Sequence, residues 1–258
     1  MKSLIIGVSG VKQSGKDTVA NFLCSYFNDC KIKVNSSLLA GLGWDFGQSR
    51  VYSFADPLKR FLIDVMGLRE EQCYGSDEDK NSLTNYKWDN LPMVIRQLYS
   101  KEVISSVNEL RTEFPMTYFA DDICDWGEVV DAPRTGYMTS RELMQIFGTD
   151  MMRRMFDDRI WVNATLGKIN KDLNEGKPLI AIINDVRFIS EVISIMEQPN
   201  ACIIRLLRKP HEDIHPSETE LDGYNFSQYG YRGVVIDNES LGIDKTNDRI
   251  LGALKSLV

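Results

Sequence analysis

The sequence predicts an α/β fold in which a parallel sheet is covered on both faces by helices, and three observations carry that prediction. Short apolar, β-branched runs recur along the chain and are followed by stretches with apolar residues at helical spacing. The first run leads through a glycine-rich loop directly into such a helix. Several runs are apolar at every position, as strands buried on both faces of a parallel sheet are. Alternation with two-sided burial points to a doubly wound sheet, whose ligands sit at the carboxyl ends of the strands.

Residues 4–8 are the first run, and the helix behind the glycines carries Val19, Phe22, Leu23 and Phe27 at helical spacing. Residues 51–54 open a second strand–helix unit, with Leu58, Phe61, Leu62 and Val65 on one face and Gly67 as its stop. From about residue 70 to 136 the chain turns acidic and irregular around a predicted helix near 91–114. That stretch reads as a mostly helical insertion in a single domain spanning 1–258. Helical character resumes over 139–156, and IWVNATLGKINKDL reads as a helix closed by Gly176. Residues 179–183, 202–207 and 234–236 are further buried strands, and the arginine-bearing stretch 207–232 is the candidate lid.

Composition narrows the classes of function. The 258 residues are enough for a well-buried core without staples. Thirty basic against 37 acidic residues give −7, the wrong sign for a chain that grips nucleic-acid backbones by releasing counterions. No apolar run approaches the roughly 20 residues that span a bilayer, and MKSLIIGVSG turns glycine-rich too early for a signal peptide. A cytoplasmic protein with no membrane partner is the expectation. Cys24, Cys30, Cys73, Cys124 and Cys202 show no C-x-x-C spacing and read as small hydrophobes in a reducing compartment. His211 and His215 have the spacing of helical metal ligands, but Pro216 argues against a helix there and no metal is assigned to them.

The chemistry is concentrated in GVKQSGKDT, residues 10–18, which matches G-x-x-x-x-G-K between a strand and a helix. Gly10 and Gly15 let the backbone curl so that successive N–H groups and the helix N-terminus face phosphates. Lys12 and Ser14 stand in the loop, and Lys16 adds a mobile positive charge. The residue after Lys16 is Asp17, with the hydroxyl one position later at Thr18. A second acidic group is needed for a metal, and Asp185 ends the apolar run LIAIIND, with Arg187 two residues on. Thr18 and Asp185 are therefore the candidate metal ligands. The alternatives are a ligand-free glycine turn for the first segment, and capping with surface pairing for the second.

The blocks GVKQSGKDT, FADPLKR, SRELMQIFGTDMMRRMFDDRIWV, INDVRFISEV, IIRLLR, HPSETEL and VVIDNESL, in that order, resemble the bacteriophage-type deoxynucleoside monophosphate kinases. The likeness covers both ends of the chain and leaves the insertion outside it. It implies an adenylate-kinase-like P-loop fold of three αβα layers, ATP as donor, Mg²⁺ as ion and a deoxynucleoside monophosphate as acceptor. The lysine, one residue, threonine order matches nucleoside monophosphate kinases rather than GTPases or motors. Lys16, Asp17, Arg141 and Arg187 are then the catalytic set. Gly10, Lys12, Ser14, Gly15 and Thr18 join Lys16 on the donor phosphates, and Arg141 and Arg187 hold the acceptor phosphate with guanidinium forks.

The same resemblance sets Gln145, Gly148, Thr149 and Trp161 around base and sugar, with Asp185 and Glu191 on the polar side. Other readings of these residues stay open. Trp161 lies at helical spacing with Leu166 and Ile169, which is a core pattern; Gln145 reads equally as a surface amide, and Glu191 as a charge at a helix start. Arg205 or Arg208 would reach the donor phosphates, and the sequence does not choose between them. DFG at 45–47 lacks every other protein-kinase element and is discounted. Two rival functions remain: a kinase acting on a hydroxymethylated base in DNA, and a nucleotide-dependent switch, although the guanine-reading N-K-x-D pattern is absent. Base choice rests on a few hydrogen bonds that a sequence does not display. Oligomeric state is equally unset, with a homodimer carried as one alternative.

Overall fold

The computed structural model describes residues 4–29, 48–99, 134–175, 180–210 and 219–255. In chain order the elements are β1 (Leu4–Ser9), α1 (Lys16–Asp29), β2 (Ser49–Tyr52), α2 (Asp56–Asp64), α3 (Glu70–Tyr74), α4 (Asp77–Lys80), β3 (Leu83–Lys87), α5 (Met93–Leu98), β4 (Tyr137–Thr139) and α6 (Ser140–Gln145). A π-helix (Ile146–Phe156) follows, then α7 (Ile160–Asn174), β5 (Ile180–Val186), α8 (Ile189–Met196), β6 (Ala201–Leu206), a 3₁₀ segment (Phe226–Arg232), β7 (Gly233–Ile236) and α9 (Ile243–Lys255). They fall into two compact units, Met1–Pro57 with Arg159–Val258, and Leu58–Asp158. The expected insertion lies inside the second. Among the described residues no helix is long and apolar enough to cross a membrane.

The first unit is built on a five-stranded sheet in the order β2-β5-β1-β6-β7, parallel at every pairing. The pleat sends alternate residues to opposite faces. Ile6, Val8, Ile180, Ile182, Cys202 and Ile204 pack with Val19, Leu23 and Phe27 of α1 and with Ile250 and Leu254 of α9. On the other face Ile5, Ala181, Ile183 and Ile203 pack with Val162 and Ile169 of α7 and Val192 and Ile195 of α8. The result is three layers with β1 at the centre, buried from both sides, as its uninterrupted apolar run requires.

Two irregularities place residues that matter below. The β1–β5 register runs Gly7 to Ile183 and then Ser9 to Val186, so β5 carries an extra residue at Asn184–Asp185. Ile183 and Val186, three apart, consequently face the same core. The other irregularity is that β2 ends at Tyr52, two residues earlier than its apolar pattern suggests. The N–H groups of Phe54 and Ala55 donate to the Asp185 carboxylate instead of continuing along the strand.

Beside the helices expected of it, the second unit contains a short antiparallel pair formed by β3 and β4. Thr84 Oγ1 donates to the Met138 carbonyl at 2.9 Å, and Trp88 and Met138 are both buried there. The partners are separated by some fifty residues of chain, and that pairing leaves no local pattern to read. The helical stretch expected over 139–156 starts with a capping box, Thr139 Oγ1 accepting from Glu142 N while Glu142 reaches back to Thr139 N. It then widens into the π-helix, a form concentrated at functional sites. Of the helix expected near 91–114, Met93–Leu98 is described. Residues 100–114 of it, Cys30, Cys124, Gly176, His211, His215, residues 45–47 and residues 211–218 of the candidate lid lie outside the described residues.

Leu23 is fully buried between α1 and the sheet. Leu23→Ala should therefore lower the unfolding free energy by about 2–5 kcal/mol. The check is a urea titration, in which the midpoint falls while the slope is unchanged.

Candidate phosphate-binding site

At the carboxyl end of β1, Ser9 pairs with Val186 on one side and Arg205 on the other, so the loop that follows starts between the ends of β5 and β6. Ser14 N donates to Val11 O at 3.1 Å and closes the loop on itself. Gln13 and Gly15 take left-handed backbone angles, φ 60° and 101°, the latter favoured by glycine. A Cβ on Gly10 would lie 2.3 Å from Ser14 Oγ, so glycine there makes room for that hydroxyl. Ser14 Oγ itself is buried without a hydrogen-bond partner. A buried donor left open beside a curled backbone suits a phosphate oxygen.

Lys16 is the first residue of α1, where the unpaired N–H groups of the helix gather positive potential. Its side chain is buried and folds back so that Nζ donates to Val11 O at 2.6 Å. Burial first, and the Arg187 guanidinium second, push this ammonium down to about 7, against the opposing pull of Asp17 and Asp185; Arg205 adds to the downward push. Lys16, Asp17, Asp185 and Arg187 are thus brought together around one charge, with Arg205.

The carboxylates of this cluster have different partners. Asp17, exposed on the first turn of α1, accepts at 2.7 Å from Asn184 Nδ2, which ties the helix start to the bulge of β5. Thr18 beside it is exposed. Asp185 accepts from Phe54 N at 2.7 Å, Ala55 N at 2.9 Å and Ser53 Oγ at 2.5 Å. Three bonds leave it about one free lone-pair site. Glu191 is buried and accepts from Arg187 N at 2.7 Å and Phe188 N at 3.1 Å, closing the start of α8. It therefore positions the Arg187 backbone.

The arginines that the sequence left undivided separate clearly. Arg205 is buried in β6, donates to Ser9 Oγ at 3.0 Å and pairs with Asp222 at 3.2 Å, while Lys209 Nζ holds the other oxygen of Asp222 at 2.6 Å. Arg208 instead donates to the carbonyls of Asn238 and Leu241. Trp161 is buried in the first unit, on α7. Lys12 is half-buried in the loop.

In the second unit Arg141 donates to Asp77 Oδ1 at 2.6 Å and to Asn81 Oδ1 at 2.9 Å. Gln145 ends α6, and Gly148 and Thr149 lie in the π-helix. A Cβ on Gly148 would come 2.4 Å from Leu58 Cδ2, so glycine is needed for that packing. Sequence reasoning passed over Ser9, Asn184 and Asn238. The hydrophilic break at the end of LIAIIND and the D-N pair after the last strand were the available signals. Among the described residues no three His, Cys, Asp or Glu side chains converge as a metal cage.

Comparison with known proteins adds two findings. A family model described as deoxynucleotide monophosphate kinase matches residues 4–241. A deoxynucleoside-5'-monophosphate kinase of Escherichia phage T5 is 25% identical over 198 residues, which cover 73% of this chain and 70% of the phage protein.

The Lys16 environment makes two pH predictions. An unfolded Lys16 keeps its ordinary value of 10.5, so between about pH 7 and 10.5 the folded protein holds fewer protons than the unfolded chain. The stability contribution of this group rises with pH across that window, and its penalty is complete below it. A polyphosphate that settles on Lys16 restores the charged form. Binding of tripolyphosphate at pH 8 should take up about one proton, read by calorimetry in buffers of different ionisation enthalpy. Uptake unchanged in Lys16→Met would disprove the assignment.

Proposed function

The chain belongs to the deoxynucleotide monophosphate kinase family, and from that membership we propose how its residues move the γ-phosphoryl group of ATP onto a deoxynucleoside monophosphate. The observation that carries the proposal is the buried Lys16 ammonium, closed on its own glycine loop at the N-terminus of α1 and pressed by a neighbouring guanidinium. Phosphoryl transfer asks little covalent work of a protein, so catalysis comes from alignment and from neutralising the charge on the transferring group.

In this reading the donor phosphates lie on the loop N–H groups of Gly10–Lys16, with Lys12, Thr18 and the open Ser14 hydroxyl as further donors. Lys16 exchanges Val11 O for a phosphate oxygen. Thr18, by its hydroxyl, and Asp185, by its remaining lone pair, would hold Mg²⁺, which would supply positive charge against the transferring phosphate. An ion that keeps several waters and takes most of its ligands from substrate suits a site without a carboxylate cage. Asp17, held by Asn184, organises water or metal. A proton acceptor is not required, since a monophosphate dianion is already a nucleophile.

Arg187, fixed at its backbone by Glu191, is assigned to the acceptor phosphate. Arg141 is assigned to it as well. Its present pair with Asp77 is partly exposed, at 33% and 57% of the two side chains, and such pairs are worth about 1 kcal/mol or less. A dianionic phosphate that offers a bidentate contact can displace it. Gln145, Gly148, Thr149 and Trp161 are assigned to base and sugar. The free thiols of Cys24, Cys73 and Cys202 are in keeping with work in a reducing cytoplasm.

The net charge of −7 supports a free nucleotide rather than DNA as acceptor. Labelled ATP and Mg²⁺ offered with each deoxynucleoside monophosphate in turn should give labelled diphosphate, and hydroxymethyl-containing duplex should stay unlabelled. Label in the duplex with every mononucleotide unreacted would move the acceptor to DNA. Lys16→Ala should lower turnover by about 10³-fold or more. Arg187→Lys keeps the charge but loses the fork, so the acceptor KM should rise more than the ATP KM. A rise in the ATP KM alone would transfer Arg187 to the donor side.

A further inference from the structure

Asn238 stands two residues past β7, is 2% exposed, and lies outside every residue set that the phosphate-loop pattern supplies. Its Nδ2 donates to the Ser14 carbonyl at 3.0 Å. Its Oδ1 accepts from Arg208 N at 3.0 Å, and its backbone carbonyl accepts from Arg208 Nε at 3.2 Å and Nη2 at 2.9 Å. Ser14 O can only accept and Arg208 N can only donate, so the amide has a single orientation that satisfies both.

The bond to Ser14 O acts on the phosphate loop through the peptide that follows. The Ser14–Gly15 peptide is planar and trans, so its C=O and N–H point in opposite directions. Holding the carbonyl toward Asn238 turns the Gly15 N–H away from Asn238. Inside the loop, Ser14 N is closed on Val11 O, which fixes the peptide before Ser14 but not the one after it. That second peptide leads into Gly15 at φ 101°, a residue with access to several backbone wells. The restraint on its direction comes from Asn238.

From this geometry we infer that Asn238 is a positioning residue for ATP, holding the Ser14–Gly15 peptide so that the Gly15 N–H faces the donor phosphates. The inference rests on the phosphate-loop reading above. Through Arg208 the same side chain also links the loop to the segment leaving β6, so one amide sets two parts of the donor side. A purely structural linker would affect how much protein folds. A positioning residue affects how well the folded protein holds ATP.

The test uses the full chain with Asn238→Asp, which keeps the size and an acceptor for Arg208 N but sets a carboxylate oxygen against the Ser14 carbonyl. The ATP KM, and the ADP Kd from titration calorimetry, should both rise by about tenfold or more, while the acceptor KM changes by less than about threefold. Asn238→Ala removes the donor without introducing a charge, and it gives the same split if the aspartate variant does not fold. A folded variant with ATP KM and ADP Kd within about twofold of wild type would overturn the inference. So would a fall in kcat with both KM values unchanged, the mark of lost folded protein. Failure of the wild type to phosphorylate any mononucleotide would defeat the acceptor assignment instead, and the ADP Kd would still decide the role of Asn238.

Discussion

The Lys16 ammonium is held nearly out of water where a strand buried on both faces gives way to a helix. Burial alone disfavours its charge, and Arg187 and Arg205 disfavour it further. A loop carbonyl and two carboxylates offset only part of that, since the ammonium still ends far below its ordinary range. Its protein partners therefore supply too little negative charge for it. An anion placed against Lys16 relieves the conflict with both arginines at once, which is how a fold stores affinity for phosphate before phosphate arrives. No flexible surface lysine has this property, because water would already have satisfied it.

The surrounding sheet supplies the directions. A regular β5 would continue its strict alternation past Ile183. The extra residue in the bulge instead lets Asn184 turn to Asp17 on α1 while Asp185 turns to the exit of β2, and Val186 still returns to the core. One irregularity thus joins three strand ends to the helix that carries Lys16. Asp185 also explains why β2 is short, since its carboxylate takes the N–H groups that a longer strand would use. Bulges are known to re-aim side chains beside active sites. Here the structural anchor and the charge near Lys16 are the same carboxylate.

These relations set what could be read from sequence. The strand, glycine loop and helix at residues 4–29 were legible because each follows from local spacing: two-sided apolar runs, Gly10 and Gly15 at the turn, and a helical stripe through Val19, Leu23 and Phe27. The β3–β4 pair was not, because its strands meet across a long separation and Leu83–Lys87 alone is too short to stand out. The division between Arg205 and Arg208 was invisible for a related reason. Arg205 lies within and Arg208 just after the same apolar run, and only the fold shows one facing Ser9 and Asp222 and the other the carbonyls after β7. Asn184 and Asn238 left only the weak signal of an amide at a strand end. Their roles depend on partners 167 and 224 residues away.

The arginines divide by what surrounds them. The Arg205 side chain is 7% exposed and faces Asp222, with Ser9 beneath it. Such a pair is difficult to exchange, because losing Asp222 would strand the buried Arg205 charge away from water. Arg205 therefore acts as a fixed contribution to the field at Lys16. Arg141, on a partly exposed pair with Asp77, sits in the opposite regime, where water screens the pair and a stronger anion can take its place. The charge felt at Lys16 is thus locked in place, whereas Arg141 holds its carboxylate loosely enough for a stronger anion to displace it.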